Sequence, residues 1–513
     1  MFQLTDLPDT LFLDIISHLS PREIILHRLV SRASHAALTR TDFSRTLLHI
    51  FFPRSLECRE LKSQIAAENQ KQSSSGACNG SPEADWPSIF ASVSRRYHNL
   101  SAGSYHILET IPILKDAKLM YPFTPWNRHL QRDEMSMPLQ LPDRSWTYDD
   151  GILVYPRPSS NPVPSIFKAL DLFSGLETTI PFACTFKIVR RLRLCHSVLI
   201  IEWAEAEGSH PLNDLDIAHR HFATAFTVHR TSSPLISTSS SPPEVTFRSE
   251  WKIHYLGLPL TPSDRLVSTH NATHYALYAH QPTRSPWGED TPLERLVVWS
   301  LGRPSSYRPS LDPSSSRKPD PDPGPAVILR LTNGDLDHWH VRQRDTPRLM
   351  SIALDAGHVF LQEEDHLWTG GPQSSETPPA RHSVRSTGIP LSRCGPRWVD
   401  ECGAEGDAER SFCPARGASD ASPGRAPCWR HEEFPYLTVA QVVDAAAGTR
   451  VCGRRCFAME TVSASGAGGG DGRGEVQFPD DMWRAVMSGA ALAGDERWVI
   501  GEDGAGDVSV VRF

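Results

Sequence analysis

The chain has 513 residues, 39% of them hydrophobic and 22% charged, enough apolar material for a sizeable core and too much for wholesale disorder. Its 52 Lys and Arg against 60 Asp and Glu give a net charge of −8 with no basic stripe, which argues against nucleic acid as the main partner. No run of about 18 apolar residues is present to span a membrane, and Asp6 and Asp9 stand where a basic leader would begin, so neither a membrane nor a secretory route is expected.

The first fifty residues carry the strongest pattern. Leu7-Pro8-Asp9 opens a helix in which Leu11, Phe12, Ile15, Ile16 and Leu19 recur at helical spacing. Ser20-Pro21-Arg22-Glu23 then restarts the chain as a capping box, with proline at the first helical position. Ile24, Ile25, Leu26, Leu29 and Val30 follow, and Ser31 is placed to cap a third helix bearing Ala33, Ala36, Ala37 and Leu38.

This run, LPDTLFLDIISHLSPREIILHRLVSRASHAAL, resembles the F-box, with Phe43-Ser44-Arg45 where many members carry a tryptophan. The resemblance implies a three-helix module over residues 1–50 that docks on the Skp-type adaptor of a cullin-based ubiquitin ligase. By position it implies contacts from Leu7, Pro8, Leu11, Ile15, Leu19, Pro21, Leu29 and Val30. Elementary packing agrees that a helical unit this small cannot cover so many aliphatic side chains, and the surplus must meet something. The competing expectation is that they pack against the chain's own second domain.

Residues 51–118 read as a helical linker with a polar, flexible insertion at 69–84. Within it, Trp86, Ile89, Phe90, Val93 and Tyr97 keep helical spacing. This stretch looks like the helix that joins an F-box to a β-propeller, although a plain surface helix fits the same spacing.

From about residue 119 to 513 the texture is β-rich. Hairpins are expected from Ile188–Leu194 with Ser197–Trp203, from Arg265–Thr269 with His274–Ala279, and from Leu349–Leu354 with His358–Gln362. Arg497–Gly501 is expected to pair with Val508–Val511 across a Gly-rich turn, and the closing strand 507–512 with an early strand. The units resemble degenerate WD-type blades without the Gly-His and Trp-Asp signatures. The reading is therefore an α+β multidomain chain with an F-box followed by a mainly β, propeller-like domain, a β-sandwich being the competing architecture. Loop insertions are expected at roughly 231–243, 303–325, 370–426 and 463–475.

No catalytic constellation emerges. Cys394, Cys402, Cys413, Cys428, Cys452 and Cys456 lack the paired spacing of a zinc site and read as free thiols. His338-Trp339-His340 reads as an edge strand, Glu363-Glu364-Asp365 as a solvated turn, and Gly466–Gly474 as a linker rather than a phosphate loop. The expectation is a non-catalytic subunit with no cofactor and no metal. It would recruit an unidentified protein target to a Skp–cullin–F-box ligase in the cytoplasm, the nucleus or both; an adaptor-binding scaffold outside an assembled ligase fits the same residues.

Overall fold

The computed structural model describes the chain apart from residues 1–3, 64–83, 116–118, 124–127, 133–134, 140–142, 159–165, 212–216, 231–240, 255–257, 259, 261–264, 282–290, 313–318, 345–347, 369–379, 393–397, 404–436, 456–459, 466–475 and 490. Most of the 69–84 insertion, most of 404–426 and the Gly466–Gly474 stretch therefore lie outside the described residues.

A short 3-10 turn, Leu4–Asp6, leads into α1 (Asp9–Ser17), α2 (Pro21–His27) and α3 (Arg32–Leu38). The capping box forms as the sequence anticipates. Ser20 Oγ accepts from the Glu23 amide at 3.3 Å, and the Glu23 carboxylate accepts from the Ser20 amide at 2.8 Å. Ser31 Oγ likewise accepts from the Ser34 amide. A fourth helix, α4 (Thr41–Phe51), buries Phe43, Leu47 and Leu48, and its Phe43 ring packs 5.6 Å from Phe12. Phenylalanine thus fills the core at Phe43. Then come α5, described over residues 56–63, and α6 (Trp86–Ala102).

The β region is a ring of six four-stranded antiparallel sheets. The first strand is β1 (Ile107–Ile111), and a hairpin of β2 (Arg128–Arg132) and β3 (Met135–Leu139) follows. Blade I is β4 (Thr147–Asp149), β5 (Ile152–Pro156), β6 (Phe167–Asp171) and β7 (Glu177–Thr179). In blade II, β8 (Lys187–Cys195) and β9 (Val198–Glu205) precede a small hairpin, β10 (His210–Pro211) with β11 (Ile217–Ala218), and then β12 (His221–His229) and β13 (Glu244–Lys252) complete the sheet. Blade III is β14 (Arg265–His270), β15 (His274–Gln281), β16 (Leu293–Ser300) and β17 (Ala326–Leu331), followed by α7 (Asn333–His338). Blade IV is β18 (Leu349–Leu354), β19 (His358–Trp368), β20 (Ala380–Pro390) and β21 (Trp398–Gly403). Blade V is β22 (Leu437–Asp444), β23 (Thr449–Arg455), β24 (Glu460–Ser465) and β25 (Val476–Gln477), followed by α8 (Asp480–Val486).

Blade VI closes the ring. Its chain-terminal strands β26 (Ala493–Gly494), β27 (Trp498–Glu502) and β28 (Val508–Arg512) take β1 as their fourth partner, in register from Ile107 opposite Arg512 to Ile111 opposite Val508. The early strand lies inside the 51–118 stretch that the sequence reads as linker. The four hairpins expected from sequence all form.

The apolar cores lie between blades. Ile152 and Phe167 of blade I meet Leu199 and Trp203 of blade II, and Trp251 of blade II meets Tyr275 and Trp299 of blade III. Trp146 and Tyr148 of blade I meet Trp498 and Val510 of blade VI. A single blade therefore buries neither of its faces alone, and closure is what completes the cores.

Several local expectations are corrected. Glu363, Glu364 and Asp365 are within β19, and residues 380–390 and 398–403 of the supposed 370–426 insertion are strands β20 and β21. Pairing with neighbouring strands overrides their Ser-, Gly- and charge-rich composition. Residues 303–312, the described first part of the 303–325 stretch, strap the outer strand of blade II. The Ser305 amide donates to the Arg248 carbonyl at 2.8 Å, the Ser310 amide to Glu250 Oε1 at 3.0 Å, and Arg308 lies 4.0 Å from the Phe247 ring centre. This covers part of an edge that would otherwise stand open. His338 ends α7 and His340 has φ of +56°, so the two imidazoles do not share a strand face.

His221 and His270 are buried, each with one ring nitrogen 2.8 Å from a backbone carbonyl, of His219 and Val198 respectively. Burial holds them down to about 3 and about 4. In the unfolded chain each takes a proton near its ordinary value of about 6.5, while the folded form resists until far lower pH. Their contribution to stability is complete above about pH 6.5 and is lost as pH falls below it. H270Q, which can keep the bond to Val198, should flatten the dependence of denaturant midpoint on pH between about 6.5 and 4 by up to about 1.4 kcal/mol per pH unit. An unchanged slope would show that His270 is not neutral in the folded protein.

Candidate docking face and its joint to the propeller

In α1, Phe12 and Ile16 turn inward against Ile24, Leu38, Phe43 and Leu47, and this leaves the opposite side of the helix outside. Leu11 is 52% exposed and Ile15, one turn on, 43% exposed. In α2 only Ile24 is fully buried; three consecutive aliphatic residues cannot all face one core, and Leu26 is left 52% exposed. Leu29 and Val30, in the turn before α3, are 81% and 70% exposed. Such exposure of several large aliphatic side chains on one small module marks an interaction surface.

Of the eight residues singled out from sequence, Leu11, Ile15, Leu29, Val30 and Pro8 are exposed. Leu7, Leu19 and Pro21 are half-buried, Leu7 and Leu19 packing on the module's own core. Sequence reading passed over Leu4, Leu26 and Ile50, each about half exposed. Their signal was a surplus of aliphatic positions over what one helical face can bury.

Residues 4–46 match the family model of the F-box domain. The N-terminal module is an F-box domain. A search of curated proteins returns no match. Among solved structures, the chain is similar to the β-propeller domain of Swd1 (Cps50) from Myceliophteria thermophila, at 9% identity, covering 79% of this chain and 100% of that one, with a TM-score of 0.26. It is also similar to a glucose dehydrogenase, at 11% identity, covering 76% of this chain and 99% of that one, with a TM-score of 0.23. The six blades rest on the strand pairing described above.

The F-box is joined to the ring through buried charge. α6 packs against α2 and α4 on one side and approaches β24 and β25 on the other, and its Leu100 enters the core between blades V and VI. Arg28 at the end of α2 lies 5.7 Å from the Phe90 ring centre and donates to the Pro87 carbonyl at 3.2 Å. α6 stops at Gly103, whose φ of +62° and tight approach to the Gln477 carbonyl leave no room for a side chain.

Glu496, in the turn between β26 and β27 and 1% exposed, is the hub. Its Oε1 accepts from the Leu56 amide at 2.6 Å, and its Oε2 accepts from the Tyr97 hydroxyl at 2.5 Å. Arg96, held by Glu57 at 2.6 Å, is 3.6 Å from Glu496, and Arg59 stands 3.8 Å from Glu496 and 3.9 Å from Asp444. Burial raises the Glu496 carboxyl above its ordinary range, and the Arg96 charge only partly offsets it. Burial also acts to raise Glu57, but there the facing Arg96 guanidinium wins and the carboxyl is held low. Nothing in the sequence pointed to Glu496, because its partners are about 400 residues away.

Among the described residues no group of three His, Cys, Asp or Glu is arranged to hold a metal. No helix described is long and apolar enough to cross a membrane. Cys58 Sγ lies 3.0 Å from His49 Nδ1, but burial pushes its thiol up, away from the reactive thiolate. Cys452 is buried; the side chains of Cys394, Cys402, Cys413, Cys428 and Cys456 lie outside the described residues.

The joint makes a sharp prediction. E496A orphans the Leu56 amide and the Tyr97 hydroxyl, at a cost of about 1–3 kcal/mol for each buried donor. E496Q keeps an acceptor oxygen and should lose much less. Denaturant midpoints of both variants, together with protease cleavage around residues 103–106, check this; equal stability of E496A and wild type would remove Glu496 from the hub.

Proposed function

We propose that this chain is the substrate-recruiting subunit of a Skp–cullin–F-box ubiquitin ligase. The observation that carries the reading is an F-box domain that leaves Leu11, Ile15, Leu26, Leu29 and Val30 in solvent instead of folding them under the propeller. F-box domains generally bind a Skp-type adaptor, which links them to a cullin. The burial of each Leu or Ile at such a contact contributes roughly 1.5–3 kcal/mol.

The mechanism is proximity. The subunit makes and breaks no bond; it raises the effective concentration of a target lysine near the ubiquitin-carrying enzyme. A joint through Glu496, Arg96 and Gly103 serves this role because a stiff connection holds a bound target at a fixed distance from the adaptor. The propeller supplies a rigid frame whose loops form the recruiting surface. The identity of the target protein belongs to those loops rather than to the fold. The compartments that fit are the cytoplasm and the nucleus.

L11A/I15A removes two exposed side chains, so its folding stability should stay within about 0.5 kcal/mol of wild type. Its affinity for a purified Skp-type adaptor should fall at least about 100-fold, since 1.4 kcal/mol is tenfold in affinity. Undiminished adaptor binding by a folded L11A/I15A protein would overturn the proposal. Recovery of cullin with the tagged chain supports a ligase subunit, whereas adaptor without cullin supports the scaffold.

A further inference from the structure

Blade III ends in an outer strand whose edge is open. β17 reads Ala326-Val327-Ile328-Leu329-Arg330-Leu331, with neither lysine nor proline to discourage pairing. By comparison, β7 and β25 have three and two residues, β1 carries Glu109 at its centre, and β13 lies under the 303–312 strap. That strap shows how an extended segment sits on such an edge. β13 holds one extra residue, Arg248, between the pairs Ala225–Ser249 and Phe226–Phe247, and the Arg248 carbonyl accepts the Ser305 amide. β17 holds its own extra residue, Ile328, at the matching place, between the pairs Val298–Leu329 and Trp299–Val327. Among the described residues nothing outside the sheet bonds to Ile328, and its side chain is exposed.

The face of blade III turned toward blade II carries the chemistry beside this edge. Along β16, Val297 and Trp299 enter the core between the two blades, so the alternation of a strand gives Arg295 and Leu293 the same face. Across the ladder Val327 stands opposite Trp299 and Arg330 opposite Val297, which puts both on that face as well. Leu293 is 41% exposed and Val327 43%, and Arg330 is exposed. Arg295 is half-buried and makes no hydrogen bond, ion pair or ring contact among the described residues. It is the diagonal neighbour of Arg330 across the ladder, a spacing of roughly 7–8 Å. The carboxylate next to it in sequence, Glu294, turns to the other face, where it accepts from the Gln343 and Arg344 amides at 2.7 Å each.

Two guanidinium groups flanked by aliphatic side chains, beside a strand edge with no partner, suit an extended acidic segment. Such a segment presents every second side chain to one side, its carboxylates make charge-assisted bonds to arginine, and its main chain bonds to the edge. We infer that the outer edge of blade III binds an extended peptide segment with glutamate or aspartate and aliphatic side chains on one side. Ile328 takes its main chain as Arg248 takes the strap, Arg295 and Arg330 take its carboxylates, and Leu293 and Val327 take its aliphatic groups. As the place where a target is recruited, this edge rests on the proposed ligase role; as a peptide-binding surface it does not.

The test is fluorescence anisotropy of the full chain with the labelled peptide Thr-Glu-Thr-Val-Thr-Glu-Thr-Val and with two relatives, in which Lys replaces Glu or Ser replaces Val. The Glu/Val peptide should bind with a Kd below about 1 mM, at least about tenfold tighter than either relative, and more weakly as salt rises. R295Q/R330Q should weaken that binding at least about tenfold. V327D, an exposed change on the same face, gives the same readout should the double variant fail to fold. L11A/I15A should bind the peptide as wild type does, so loss of adaptor binding and loss of peptide binding report on separate proposals. Absent binding of the Glu/Val peptide, equal binding of the lysine peptide, or unchanged affinity in the folded variants overturns the site. Dimerisation of the chain in sedimentation, abolished by V327D, would place a second copy on the edge and overturns it too.

Discussion

The antiparallel pairing of β1 with β28 is the constraint on which the rest depends. Each apolar core of the ring lies between two blades, so a blade without a neighbour leaves one face in water. Blade VI takes three strands from the end of the chain and one from the start. The same contact therefore closes the ring and fixes where α6, only a few residues before β1, must sit. The placement of the F-box follows from the closure of the propeller.

That placement brings charge into the interior. Glu57, Arg96 and Glu496 come from a helix in the linker, a helix before the first strand and a turn in the last blade, and one guanidinium serves two carboxylates where water is excluded. Removing one member of such a set costs far more than an exposed ion pair contributes, so the joint is stiff by energetic necessity. In the channel, Asp143 and Glu202 both pair with Arg191, and both also act on the Arg193 charge.

The F-box was the most legible part of the chain. Its helices are short and locally capped, so Ser20, Glu23 and Ser31 announce their boundaries within four residues, and the inward Phe12 and Ile16 follow from helical spacing. The hairpin of Leu349–Leu354 with His358–Gln362 was legible for the same reason, since a turn and its two flanking strands are contiguous. Strands β20 and β21 were not, because their Ser, Gly and charged residues gain strand character only from pairing with β19 and with each other.

The sequence by itself determined the capped helices, their surplus of aliphatic side chains and the strand-turn-strand units, all set by interactions among residues close in the chain. Only the tertiary structure decided that there are six blades, that β1 belongs to the last of them, that Glu496 meets Tyr97, and that Arg295 and Arg330 share one face of blade III. Those contacts join positions from tens to hundreds of residues apart. Their geometry is settled by which apolar faces can be buried together, and local propensity carries no record of that.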